Sequence, residues 1–514
     1  MKKSVPLFLS MLMMVCANSE VFAQSTGYAQ TNLVANLAGV ASHTDSQLSN
    51  PWGIAFLAGQ PFWIANNNGG TSTLYDSMGN KQVGTITIPV ASLNPCSPGC
   101  PTGIVANPTA DFGGSDFIFD TEDGIIVNWS SGTAGVVAMD NSAALAVYKG
   151  LALLSNGSGS FLLAANFRSG KIEVLDRNFL PTVLAGSFTD PNLPAGMAPH
   201  GVHVIGSQVY VAYAKQDAAK HDPIPGPGGG VIDVFDQNGN FVKTFASGGK
   251  LNAPWGVVQA PASFGAFSNA ILVGNFGDGT VNAFDSAGKF LGQLTDSNNH
   301  VIANAGLWDL VFGSGGTGDP NTLYFTAGGS DQTHGLFGIL VPAAVAGQPN
   351  FSLTLSSQSA SVMPGGSAML TVGASPVAGF NSAIALSCPN PPAGLSCVFS
   401  SNNITPATSS TLTISAVSVA PPTGYVVMSA MTWLPTAGLG LLGLLFAGPV
   451  QTHRKMMAKG IGLSVIVLLA MLWLGCGGYG SNSMTNNMKN TVTVMVTGSS
   501  GSLSHSMPIS VTIQ

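Results

Sequence analysis

A glycine-bearing apolar strand returns along this chain about every fifty residues: Trp52-Gly53-Ile54, Thr102-Gly103-Ile104, Lys149-Gly150-Leu151, His200-Gly201-Val202, Trp255-Gly256-Val257 and Leu307-Trp308-Asp309. From Gly53 the steps to Gly103, Gly150, Gly201, Gly256 and Trp308 are 50, 47, 51, 55 and 52 residues. A period of that size, filled with short strands rather than helices, is the signature of radial repetition in a β-propeller.

The fifth repeat shows the blade pattern most cleanly. Four runs, Trp255 to Val258, Ala270 to Gly274, Thr280 to Asp285 and Phe290 to Leu294, are separated by turn residues and predict one four-stranded sheet. Asn275-Phe276-Gly277-Asp278-Gly279 links its second and third strands, where glycine supplies the positive φ of a tight turn. Asp76, Asp176, Asp236 and Asp285 close the third strands of four repeats and read as turn formers. The sixth repeat has only three strands of its own, Leu310 to Phe312, Thr322 to Thr326 and Gly335 to Val341. The orphan run Thr31 to Leu37 is expected to supply the fourth, closing the ring and removing open sheet edges. The expected propeller has six blades over residues 28–344.

Only 7% of residues are charged against 45% hydrophobic, and the formal net charge is -6. This balance, with 65 glycines, fits a turn-rich β chain and points away from a disordered polymer and from nucleic-acid binding. Lys2 and Lys3, the apolar run Val5 to Cys16 and Val21-Phe22-Ala23 before Gln24 predict a signal peptide over residues 1–23. The expected location is therefore extracytoplasmic, in the periplasm or at the cell surface. In an exported chain, Cys96 with Cys100 and Cys388 with Cys397 predict two local disulfides.

Beyond Gln348 the composition shifts to short alternating Ser/Thr/Val/Ala runs. Pro364-Gly365-Gly366, Ala385-Leu386-Ser387-Cys388, Pro392-Ala393-Gly394-Leu395-Ser396-Cys397 and Val398-Phe399-Ser400 resemble the immunoglobulin-like modules of secreted bacterial proteins. The first part of that module is expected over residues 350–420 and its final hairpin over 490–514. Between them stand two apolar segments, Val426 to Val450 and Gly460 to Cys476, flanking a short loop with His453, Arg454, Lys455 and Lys459. Their length and the positive loop predict a transmembrane helical hairpin over 426–476, both ends outside. The expected fold class is all-β: a six-bladed β-propeller, then an immunoglobulin-like sandwich interrupted by that hairpin.

No His-Glu-x-x-His, Gly-x-Ser-x-Gly or phosphate-loop pattern occurs. The ends of the second strands would gather at one mouth of a propeller, which makes Asn66, Asn67, Glu122, Asn166, Arg168, Lys215, Gln216, Asn275 and Asp278 the candidate funnel residues. Oxygen donors suit a divalent cation such as calcium, with Glu122, Asn166 and Asn275 as the candidate ligands. Arg168 and Lys215 would instead favour an anionic ligand. His200 and His203 flank a strand start, His221 lies beside Asp222 in the loop Lys215 to Gly230 and His334 precedes Gly335; they form no matching ligand set, and scattered histidines of this kind read as solvated. The Pro/Gly-rich insertion Asp217 to Gly230 interrupts a compact blade and reads as a lid or partner loop.

Asn50-Pro51-Trp52-Gly53, Tyr148-Lys149-Gly150-Leu151, Ala165-Asn166-Phe167-Arg168, Tyr213-Ala214-Lys215-Gln216-Asp217, Asn252-Ala253-Pro254-Trp255-Gly256, Gly274-Asn275-Phe276-Gly277-Asp278-Gly279 and His334-Gly335-Leu336-Phe337-Gly338 together resemble uncharacterised exported bacterial propellers related to the NHL-repeat group. The resemblance implies a six-bladed, extracytoplasmic fold and assigns no catalytic residues. The expected role is a surface scaffold binding a protein or carbohydrate, with a metal-dependent lactonase or hydrolase working through the funnel as the rival.

Overall fold

The computed structural model describes residues 27–343, 349–389, 391–417, 490–501 and 503–514. The expected signal peptide and the apolar segments of 426–476 lie outside the described residues. Among the described residues no helix is long and apolar enough to cross a membrane.

Six sheets follow one another along the chain, antiparallel except for the edge strand His43–Thr44 of the last, which runs parallel to Tyr28–Ala35; they are opened by the strands Pro51–Ala55, Pro101–Ala106, Tyr148–Asn156, Met197–Ile205, Pro254–Gln259 and Leu307–Phe312. Each opening strand neighbours the next, and the sixth abuts the first, so the sheets are the blades of a closed propeller. The last blade takes its fourth strand from Tyr28–Ala35, which pairs antiparallel with Leu336–Pro342, in agreement with the reading of the orphan run. Apolar clusters between adjacent blades form the core, for example Phe117, Phe119 and Val127 against Trp63 and Ala65.

The recurring glycine has a physical cause. In all six blades the register slips within the opening strand, at the step where the repeated motif lies. Such bulges bend a strand and re-aim its side chains. A Cβ on Gly53 would sit 2.9 Å from Ile104 N, and one on Gly256 would sit 2.7 Å from Trp308 O. The glycines therefore let backbones of neighbouring blades touch around the axis.

Strand pairing corrects the alignment of the sixth repeat. Leu307 pairs with Ala327 as Pro51 pairs with Asn66, Pro101 with Thr121 and Pro254 with Asn275. Trp308 then matches Trp52 and Trp255, and Asp309 rather than Trp308 stands in the glycine place. Asp309 is buried and joins the last blade to the first, its Oδ2 accepting the Ile54 N–H at 2.8 Å and its Oδ1 the Leu310 N–H at 2.8 Å.

Burial pushes the Asp309 carboxyl up to about 7, against the pull of those two N–H groups. Because the folded value is raised, the stability this group contributes is fully present below about pH 4 and is lost as pH rises through about 7. The stability gap between wild type and Asp309→Asn is therefore expected to be about 2 kcal/mol wider at pH 5 than at pH 8, measured by urea unfolding. A gap independent of pH would show that Asp309 is ionised throughout.

The four aspartates that close third strands are turn formers. Oδ1 of Asp76, Asp176, Asp236 and Asp285 each accepts two backbone N–H groups, two and four residues on, at 2.8–3.0 Å.

After the propeller, two sheets pack face to face. One runs Asn350–Leu355, Ser367–Val377, Ser410–Ala416, Leu395–Phe399, and the other Ser359–Val362, Leu503–Ile513, Asn490–Ser500, Ile384–Ser387, Asn403–Ile404. Phe351, Val372, Leu412, Val494 and Val511 share their core. The C-terminal hairpin occupies the middle of the second sheet, so the sandwich is built from both sides of the 418–489 segment. Cys96 and Cys100 are bonded, with Cα atoms 5.8 Å apart. Cys388 and Cys397 correct the expected second disulfide. They are free thiols, one following a strand of one sheet and one on a strand of the other, and both pack against the core between the sheets.

Candidate functional site

The bulged opening strands send one side chain per blade into the centre of the ring: Trp52, Thr102, Lys149, His200, Trp255 and Trp308, all buried. Trp52 and Trp308 stack with centroids 3.4 Å apart, and Trp255 meets both edge-on at 6.4 and 6.2 Å. Aromatic pairs of this kind contribute about 0.5–1.5 kcal/mol each beyond their burial. The indole of Trp255 donates to the Lys149 carbonyl at 2.7 Å.

One step toward the mouth lies a second six-fold set. Asn67, Glu122, Phe167, Phe276 and Gly328 each follow a second strand, and each donates its N–H to the carbonyl of the residue before the opening strand. In the fourth blade both strands run on for longer, and Ala214, paired with Ala198, holds that place. Asn67 and Glu122 make one sector polar, while Phe167, Ala214 and Phe276 pack together in another.

Lys149 joins the two sets. Its ammonium is paired with Glu122 Oε1 and, at 3.1 Å, with Asp222 Oδ1. Asn67 Nδ2 donates to Glu122 Oε2 at 2.9 Å, and the rings of Trp52 and Phe167 lie 5.2 and 5.9 Å from Lys149 Nζ. The Lys149 side chain is 1% exposed, whereas that of Asp222 is 61% exposed. Asp222 reaches the pair from the long insertion, which folds back through Asp217 N–H to Asp222 O at 2.9 Å and Ile224 N–H to Lys215 O at 2.7 Å. His221 Nδ1 is 3.0 Å from Asp222 Oδ1. That hydrogen bond raises the His221 pKa and holds the Asp222 carboxyl below its usual range.

An uncharacterised protein of Acanthamoeba polyphaga mimivirus is 34% identical over 325 residues, covering 60% of this chain and 78% of its own. A second from the same virus is 34% identical over 332 residues, covering 60% of this chain and 84% of its own. The chain belongs to their family. No model of a described protein family matches it. Among solved structures it is similar to regucalcin, a calcium-binding protein of Agrobacterium tumefaciens, at 13% identity and a TM-score of 0.36, over 57% of this chain and 91% of that one. It is also similar to a protein of unknown function from Bacteroides thetaiotaomicron, at 12% identity and a TM-score of 0.39, over 61% and 76%.

Of the expected funnel residues, the structure brings Asn67 and Glu122 together. Gln216 lies two residues beyond Ala214, where its Nε2 donates to the Phe167 carbonyl. Asn66, Asn166 and Asn275 end their second strands one residue earlier than the mouth set, and successive residues of a strand face opposite sides. They are held inside their blades, Asn66 Nδ2 on Thr73 Oγ1 at 2.9 Å, Asn166 Nδ2 on Glu173 Oε1 at 2.7 Å and Asn275 Nδ2 on the Lys250 carbonyl at 2.7 Å. Glu122 thus does not share a cation site with Asn166 and Asn275. Asp278 ties the Asn275 turn through Thr280, Arg168 offers its carbonyl to Gln216, and Lys215 is exposed.

The histidines also differ from expectation. His200 and His203 lie on a blade's opening strand, and their rings are 3.0 Å from the carbonyls of Pro254 and Trp255. Burial lowers them to about 3 and about 4, so both stay neutral. Lys149 and Asp222 are site residues that the sequence reading does not include. The available signal is a lysine at the repeat position that carries tryptophan in three other blades.

Proposed function

We propose that this chain is an extracytoplasmic propeller anchored through residues 426–476, and that it works as a binding scaffold rather than as a metal-dependent hydrolase. The observation supporting this is the Lys149 ammonium, which sits between Glu122 and Asp222 where a metal ion would otherwise balance them. A buried carboxylate needs a partner charge, and here the chain supplies its own. The tryptophans that fill the ring centre leave the mouth and the blade surfaces for a protein or carbohydrate partner.

One feature favours the rival. Ligand atoms of Glu122, His221 and Asp222 lie within 4.8 Å of one another, a set that could hold calcium or zinc. Elemental analysis of the intact purified protein separates the two. The scaffold reading expects no stoichiometric divalent metal in wild type or in Glu122→Gln. One equivalent of calcium or zinc in wild type, lost in Glu122→Gln, would establish the metal site instead.

A further inference from the structure

We propose that Asp190 and Asp233 form a calcium site between the third and fourth blades, with no residue in common with the mouth. The site goes beyond the scaffold reading and does not depend on it.

Asp233 stands on the third strand of the fourth blade, Gly230–Asp236. Ile232 and Val234 of that strand pack toward the fifth blade, while Val231 and Phe235 join the apolar cluster against the third. Alternation therefore sends the Asp233 carboxylate into the cluster between the third and fourth blades. Asp190 comes from the segment joining those blades, between Phe188 and Leu193, which pack in the same cluster, and the Phe188 ring lies 5.5 Å from that of Phe235. Both aspartates are buried, Asp233 completely and Asp190 at 7% exposure. Neither Asp233 oxygen has a hydrogen-bond partner among the described residues, and neither aspartate has an ion pair there. Burial, and the Asp190 carboxylate beside it, push Asp233 up to about 7. Burial and then the same two carboxylates raise the Tyr213 hydroxyl, which gathers the three side chains in one corner. Thr244 pairs with Asp233 from the edge strand, but its neighbour Lys243 is turned to the fifth blade, where it donates to the Ser286 carbonyl at 3.0 Å. The chain thus supplies no cation for a buried carboxylate pair, and buried charge without a partner is costly. Two carboxylates call for a divalent ion, and a donor set of oxygen alone suits a hard one. Calcium fits better than magnesium, which keeps several waters that an apolar cluster does not house, whereas calcium takes bidentate carboxylates in irregular geometry. Exposed Thr244 sets the site one residue from the surface, which gives the ion a path in.

The probe is calcium chloride, titrated into the full chain at about pH 8, where most of Asp233 is ionised, and followed by calorimetry and thermal unfolding. A site with only two carboxylates is expected to have a dissociation constant of about 10⁻⁴–10⁻³ M, weak enough for dialysis to leave the purified protein without stoichiometric metal. Binding should saturate at one ion, and about 10 mM calcium should lower the unfolding constant about tenfold or more. Asp233→Asn and Asp190→Asn should each be at least as stable as wild type without calcium, because each removes a buried unpaired charge, and each should lose the calcium response. Glu122→Gln should keep it, and magnesium should do little. No saturable calcium binding by wild type, an undiminished response in the two asparagine variants, or an equal response to magnesium would overturn the inference while leaving the scaffold reading standing. A response lost in Glu122→Gln and kept in both asparagine variants would move the ion to the mouth and remove both.

Discussion

Alanine at Gly201 is expected to destabilise the protein by about 3 kcal/mol, seen as a lower urea midpoint at unchanged slope. A methyl group there would overlap the carbonyl oxygen of Trp255 on the next blade. The obstacle is backbone, which cannot rotate away as a side chain could. Trp255 is itself packed against Trp52 and Trp308, so a shift of that strand disturbs the ring centre. Gly157, where an added Cβ meets nothing within 4 Å, provides the control. Alanine there should change stability by less than about 0.5 kcal/mol. Equal effects at the two positions would show that the blades do not depend on close backbone approach.

Lys149→Met is expected to cost about 3–5 kcal/mol, because removing one partner of a buried ion pair leaves the other uncompensated. Glu122 and Asp222 would then face each other within 4.8 Å with no cation between them. Adding Glu122→Gln should recover most of the loss, since the methionine would then meet a neutral amide. Thermal unfolding of the two variants beside wild type checks this. A single variant as stable as the double would mean that Lys149 is not the charge that holds the mouth together.

Much of the propeller is legible in the sequence because its signals are local and repeated. Strand alternation, turn aspartates and a glycine once per blade are each dictated by the backbone geometry of one unit. The closing strand is legible for a related reason, since an orphan run and a three-stranded last repeat complete each other. The alignment of the sixth repeat is not, because Asp309 replaces glycine there and the pairing of Leu307 with Ala327 fixes the register.

The site is less readable. Asn66 and Asn67 are neighbours in sequence, yet one serves its blade and the other the mouth. Strand alternation decides between them, and a shift of one residue reverses the answer. Gln216 shows the same sensitivity, since two extra residues in its blade carry it past the place that Ala214 fills. The Cys388 and Cys397 pair marks a further limit, because short spacing suggests a bond while the two belong to opposite sheets.

The period and the make-up of each blade were written in the amino-acid order, because both follow from repeated units whose interactions are close in the chain. The closure of the ring was written there because an orphan run and a three-stranded last repeat complete each other, although they pair from opposite ends of the propeller. The meeting of Glu122, Lys149 and Asp222, at separations of 27 and 73 residues from the lysine, was settled by the three-dimensional fold instead. It depends on the angle between blades and on the path of one insertion, which no local pattern encodes.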